Sequence, residues 1–225
     1  IGGSGRMSGG RYSGIAPGCN LIMVKVLDRK GNGYSSDVLA GISWVLERKE
    51  QLGIRILNIS VGACSKRGMS ENSALVKGVN RAWDAGLVVV VAAGNNGPRT
   101  MSITTPGISR KVITVGCSDD DREVLVGGNR MVDYSGRGPT AACICKPDLV
   151  APGCSVVSCS SRADKYTIKS GTSMSTPIVS GAVALLLERF PDMSNKDVKL
   201  RLRESSVDIG LPRNQQGWGL LDVGK

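Results

Sequence analysis

Two short segments hold the side chains best suited to covalent chemistry. Ser173 lies in Ser170-Gly171-Thr172-Ser173-Met174-Ser175-Thr176-Pro177, between a stretch of strand character and a helix expected over residues 175–190. Pro177 is tolerated in the first turn of that helix, because N–H groups there have no helical partner. A hydroxyl at such an N-terminus stands near free N–H groups and the positive end of the dipole, where an oxyanion is stabilised. The plainer alternative is a serine that only caps a buried helix. Asn95 closes the run Ala92-Ala93-Gly94-Asn95 and is followed by Asn96-Gly97-Pro98. It therefore falls just past the end of an apolar strand, at the edge where open α/β sheets bind ligands. Its NH₂ group is able to donate to a developing negative charge, although Asn and Gly here also suit a simple turn. Singly, both segments stay ambiguous.

The surrounding elements must hold these two groups in place. Residues 20–27 read as a buried strand, with Leu21, Ile22, Met23, Val24 and Val26 interrupted only by Lys25. Ser35 and Ser36 offer an N-cap to a helix whose Val38, Leu39, Ile42, Val45 and Leu46 share a face, and Gly53 ends it. A strand over 54–61, a helix over 72–85 and strands over 87–93 and 112–115 continue the alternation. This pattern predicts an α/β fold: a doubly wound, mainly parallel sheet with helices on both faces. Asp119-Asp120-Asp121 and Gly127-Gly128 read as a variable surface loop. Short strands over 148–151, 155–159 and 166–169 follow, and Ser194 with Asp197 forms a capping box that opens a last helix towards Glu204.

Composition narrows the classes. The 225 residues, 41% hydrophobic, suffice for one sizeable core and make one domain the expected count. Thirty glycines against one Phe, four Tyr and three Trp indicate a core of aliphatic and small side chains. The net charge of +10 is spread over pairs such as Arg48-Lys49, Lys66-Arg67 and Arg110-Lys111, without runs or aromatic platforms, so no nucleic-acid partner is expected. No apolar run reaches the length of a membrane span. The seven cysteines are odd in number and include no Cys-x-x-Cys pair. They favour a reducing, cytoplasmic location over a secreted one, and with no histidine the spacing speaks against zinc. The chain opens on Ile1 rather than Met, so the natural N-terminus is expected to lie upstream.

Taken together, Gly171-Thr172-Ser173-Met174-Ser175-Thr176-Pro177 and Ala92-Ala93-Gly94-Asn95 resemble the subtilisin-like serine proteases, or subtilases. Further stretches agree in order: Gly14-Ile15-Ala16-Pro17, Val24-Lys25-Val26-Leu27, Asn58-Ile59-Ser60-Val61-Gly62, Tyr134-Ser135-Gly136-Arg137-Gly138-Pro139 and Lys146-Pro147-Asp148-Leu149-Val150-Ala151-Pro152-Gly153. The resemblance implies that Ser173 is the acylating nucleophile, with Asn95 and the Ser173 N–H as oxyanion donors. It implies that Gly31-Asn32-Gly33 and Ser60-Val61-Gly62 are two backbone edges that hold an extended polypeptide substrate, and that Ala93 and Gly94 belong to the pocket before the scissile bond. Gly31-Asn32-Gly33 also suits an ordinary strand-to-helix turn. Calcium sites are frequent in the family, but the acidic run 119–121 matches no liganding motif, so no metal residue is assigned and no cofactor is expected. The molecule is expected to act as a monomer.

A serine hydroxyl needs a base to take its proton, normally a His oriented by an Asp. This chain contains no histidine. Subtilases order the triad Asp, His, Ser, so the resemblance places the His, the Asp and the first strands upstream of Ile1 and makes residues 1–225 part of a catalytic domain. No aspartate here, Asp28 and Asp148 included, matches a catalytic position. Two other readings remain: a pseudoprotease that keeps the peptide groove as a binding or regulatory module, and a nucleotide loop in the Gly-rich opening. Gly3-Ser4-Gly5 lacks the third glycine of a dinucleotide fingerprint.

Overall fold

The computed structural model describes residues 1–63, 70–161 and 166–224; Cys64 and the Lys66-Arg67 pair lie outside them. In chain order the main elements are α1 (Ser35–Arg48), β1 (Ile56–Ile59), α2 (Ala74–Asp84), β2 (Val88–Ala92), β3 (Ile113–Cys117), β4 (Val124–Val126), β5 (Asn129–Met131), β6 (Leu149–Ala151), β7 (Val156–Cys159), β8 (Tyr166–Lys169), α3 (Thr172–Arg189), α4 (Asn195–Ser205) and α5 (Arg213–Gln216).

Valine and isoleucine, stiff at χ1 and comfortable on a pleated surface, dominate β1 to β3. They pair in the order β1-β2-β3-β6, all parallel, with Asn58 beside Val90, Val90 beside Ile113 and Val115 beside Leu149. Both faces of this sheet are covered, so its strands are apolar throughout instead of alternating. Val89, Val90, Val91, Ile113, Val115 and Leu149 are fully buried, each worth roughly 1.5–3 kcal/mol relative to exposure. The helix α3 runs along β1, β2, β3 and β6, while α1 packs on α2 and α2 on β2. The expected parallel α/β architecture is present.

Helix starts follow local chemistry. Ser73 Oγ accepts from Val76 N at 3.3 Å, and Ser194 with Asp197 closes the expected capping box, each side chain accepting from the other's backbone N–H. At α1 the cap is Tyr34, not Ser35 or Ser36: Asp37 Oδ2 accepts from Tyr34 N at 3.2 Å, and both serines lie inside the helix.

Three expectations need revising. Residues 20–27 join no strand; Leu21 and Met23 are exposed, and an apolar slot of about 310 Å³ separates this segment from β1, with Met23 and Val24 on one wall and Leu57 and Ile59 on the other. Its backbone has no adjacent ladder, so the apolar run alone does not make a strand. Within the loop expected at 119–129, β4 and β5 form an antiparallel hairpin turned at Gly127 and Gly128, whose φ values of 59° and 91° suit glycine. The helix expected from Ser175 begins at Thr172, so Ser173 sits in its first turn and Pro177 in its sixth position. Pro177 lacks the N–H that would bond to Ser173 C=O, which loosens the ladder beside Ser173. Two hydroxyls return to nearby carbonyls of the same helix: Thr176 Oγ1 donates to Thr172 O at 2.7 Å and Ser180 Oγ to Thr176 O at 3.2 Å.

Candidate active site

Ser173 and Asn95 come together through the residue between them in space, Thr172. Asn95 lies three residues beyond the end of β2, and Thr172 opens α3. Thr172 N donates to Asn95 Oδ1 at 3.0 Å and Thr172 Oγ1 donates to the same oxygen at 3.1 Å. Two donors on one atom fix which end of the amide is oxygen, so the NH₂ occupies the other end. A Cβ built on Gly171 would sit 3.2 Å from Asn95 Nδ2, which places that NH₂ against the loop leading into Ser173. Gly171 has φ 136°, a conformation that side chains rarely adopt. Thr172 Oγ1 also accepts from Gly94 N at 3.1 Å, tying the turn after β2 to the start of α3.

Ser173 Oγ donates to Ser60 O at 2.8 Å. That carbonyl follows β1 directly, so the hydroxyl faces the end of the sheet where β1 and β2 stop. The approach is braced behind it: Asn58 Nδ2 donates to Ser60 Oγ at 3.0 Å, and Ser180 Oγ, two turns along the same face of α3 and sharing its one proton with Thr176 O, donates to Asn58 Oδ1 at 2.9 Å. Thr172, Asn58 and Ser180 were not singled out from the sequence. Thr172 stands inside the Gly-Thr-Ser block, but a bond to a residue 77 positions away leaves no periodic or spacing signal.

The residues expected to hold a peptide also converge. Gly31, Asn32 and Gly33 line one side of a cleft of about 390 Å³, and Val61 and Gly62 line the other, with Leu75 and Pro106 closing it. The Gly31–Gly33 side is shaped by Asp28, whose Oδ1 accepts from Lys30 N and Asn32 N at 2.8 Å each. Gly62 and Gly94 both abut the side chain of Thr104, where a Cβ on either would collide. Ser60 stands at the head of this edge. Ala93 is different: its side chain is fully buried with Val76, Ile103 and Ile108, and its N–H and C=O bond to Val115 and Thr104. Gly94, partly exposed, is the member of that pair nearer the surface.

The acidic run 119–121 is only partly a surface feature. Asp120 is buried and its Oδ2 accepts from Ser135 N at 2.7 Å; burial pushes its carboxyl above the usual range, offset in part by that N–H. Asp119 Oδ1 accepts from Gly153 N and Cys154 N at 2.7 and 3.1 Å. Among the described residues, the group of cation-binding side chains that converges is Cys117, Asp119 and Cys154. Two thiols do not suit calcium, a hard cation that takes oxygen ligands. No described helix is long and apolar enough to cross a membrane.

A family model described as the subtilase family matches residues 1–219. Serine protease AprX of Bacillus subtilis (strain 168) is 40% identical over 220 residues, covering 90% of this chain and 50% of that protein. Subtilisin DY of Bacillus licheniformis is 34% identical over 212 residues, covering 93% and 69% respectively. Among solved structures, Sphericase superposes with a TM-score of 0.73 at 31% identity over 88% of this chain and 67% of its own. S41 Psychrophilic Protease does so with 0.78 at 29% identity over 96% and 72%. The chain thus spans half the length of AprX and 69% of Subtilisin DY.

Proposed function

Because this chain belongs to the subtilase family, we propose that it is the nucleophile-bearing part of a serine endopeptidase working through an acyl-enzyme on Ser173. The observation that carries this reading is the pair of hydrogen bonds from Thr172 to Asn95 Oδ1, which holds an NH₂ donor beside the loop of Ser173. A binding module has no need of a donor aimed beside a serine hydroxyl.

In the proposed reaction Ser173 Oγ attacks the scissile carbonyl carbon while a base takes its proton. The carbonyl oxygen becomes an oxyanion held by Asn95 Nδ2–H and the Ser173 N–H at the head of α3. The C–N bond then breaks as the base returns that proton to the leaving amine, and water attacks the resulting ester to free the second product and the serine. The chain has no histidine, so the base comes from outside these 225 residues, and Ser173 Oγ must turn from Ser60 O to reach it. The substrate lies as an extended strand in the cleft between Gly31–Gly33 and Ser60–Gly62, bound chiefly through its main chain. Small residues on both edges suit a polypeptide substrate of varied side chains.

The test is a serine-directed fluorophosphonate applied to the full-length protein. An adduct found on Ser173, with peptide hydrolysis lost in step, supports the endopeptidase. Intact peptide binding with no adduct and no turnover would instead establish a pseudoprotease.

A further inference from the structure

Three side chains remain that the peptidase chemistry does not use, and they meet behind the Ser173 loop. Cys117 ends β3, next to Ala151 of β6 in the sheet register, and Cys154 follows β6 after a short turn. Their Sγ atoms and a carboxylate oxygen of Asp119 all lie within 4.8 Å of one another. Cys117 Sγ is 3.1 Å from Asp119 Oδ1, and the Tyr134 hydroxyl is 3.2 Å from each sulfur. All six described cysteines are free thiols.

We propose that Cys117, Cys154 and Asp119 form a binding site for a thiophilic divalent cation of the zinc and cadmium class. Two thiolates and one carboxylate are a ligand set that such ions take in tetrahedral geometry, the fourth position falling to water or to Tyr134. Around a common ion, sulfur and oxygen ligands stand roughly 3.5–4 Å apart, a spacing the cluster reaches with small side-chain shifts. Binding releases two thiol protons to solvent and replaces the S–H contact on Asp119 by the cation. Burial pushes the Cys117 and Cys154 thiols above their ordinary values. Cys154 and Asp119 are partly exposed and give the ion its way in.

The site joins two parts of the molecule. Asp119 Oδ1 already grips Gly153 N and Cys154 N, and Gly153 O accepts from Gly171 N at 2.9 Å. On its other side Gly153 abuts Ser175 Oγ, a buried hydroxyl without a hydrogen-bond partner, and a Cβ there would come within 2.7 Å of Cys117 Sγ. A bound cation therefore clamps β3 to the turn that supports the start of α3, whatever reaction α3 serves.

The experiment uses the full-length protein with every cysteine except Cys117 and Cys154 replaced by serine, titrated with cadmium ion under reductant. The expected result is one equivalent bound, a thiolate-to-cadmium charge-transfer band, two protons released per ion, and displacement by zinc. The band should vanish in Cys117→Ser and in Cys154→Ser, and Asp119→Asn should weaken binding by about tenfold or more. Circular dichroism identifies any variant that fails to fold, and Cys154→Ser, at the more exposed position, decides if Cys117→Ser does so. A band that survives in a folded variant lacking either sulfur, or a protein in which the two sulfurs are joined as a disulfide and no cation binds, overturns the proposal.

Discussion

Thr172 donates both its N–H and its hydroxyl to a single oxygen, Asn95 Oδ1, at 3.0 and 3.1 Å. The first bond comes from backbone and is open to any residue but proline; the second needs a side-chain hydroxyl. Thr172→Val keeps the shape and removes the hydroxyl that also accepts from Gly94 N. We expect kcat to fall about tenfold, in line with losing one or two modest hydrogen bonds, while KM changes little because the ground-state substrate does not use Asn95. Thr172→Ser should restore most of the rate. Equal defects in the Val and Ser variants would mean that packing, not the hydroxyl, matters here.

Removing the oxyanion donor itself should cost more. Asn95→Leu is expected to lower kcat by about 10²–10³, the size known for this donor in a subtilisin, with KM nearly unchanged. Ser173→Ala should lower turnover by about 10⁶ and abolish phosphonate labelling. Steady-state kinetics on one peptide substrate separates the two, and a Ser173→Ala enzyme with near-normal turnover would move the nucleophile elsewhere.

The cleft edge can be tested apart from the chemistry. Gly62 has no room for a Cβ beside Thr104, so Gly62→Val must push its strand edge into the space between Gly31–Gly33 and Val61. Losing one or two main-chain bonds to an extended substrate should raise KM for long peptides about tenfold. Labelling of Ser173 by a small phosphonate should stay near normal. A KM unchanged across peptide lengths would show that the substrate does not run along this edge.

Away from the site, Lys146 is fully enclosed, its Nζ donating to Val112 O at 3.0 Å and to Asp148 Oδ2 at 2.5 Å. Burial pushes it down from 10.5 to about 8, with Asp148 pulling the other way. Between about 8 and 10.5 the unfolded chain holds a proton on this amine that the folded chain has released. Its contribution therefore makes stability rise with pH across that window and is least favourable, and flat, below it. Denaturant titrations across the window should show this rise in the native protein and its absence in Lys146→Met, where Asp148 keeps Lys199 at 3.5 Å. Identical pH slopes in the two proteins would remove Lys146 from the account.

The parallel sheet was legible because its strands are buried on both faces and so read as unbroken aliphatic runs. The same signal misled at residues 20–27, where apolar side chains lack a neighbouring ladder to bond with. The β4–β5 hairpin was hidden because Gly127 and Gly128, which make its turn, are equally the composition of a loop. Ser173 and Asn95 were legible as a pair in their motifs. Thr172's hold on Asn95 and the meeting of Cys117 with Cys154 were not, since the first is made by α3 packing on the end of β2 and the second by the pairing of β3 with β6, elements far apart in the chain. Sequence spacing excluded a local thiol site and carried no information about one assembled across β3 and β6.

Within these 225 residues β1 ends the sheet, bonded to β2 alone and facing the slot beside residues 20–27. In a terminal strand every second amide points away from its partner, so those of β1 trade hydrogen for deuterium with water far sooner than their neighbours two strands in. The sheet is thus graded from a sealed interior at β2 and β3 to a leaky margin at β1. Ser60, which receives the Ser173 hydroxyl, hangs from that margin. In these 225 residues taken alone, the carbonyl that parks the nucleophile therefore belongs to the part that breathes first.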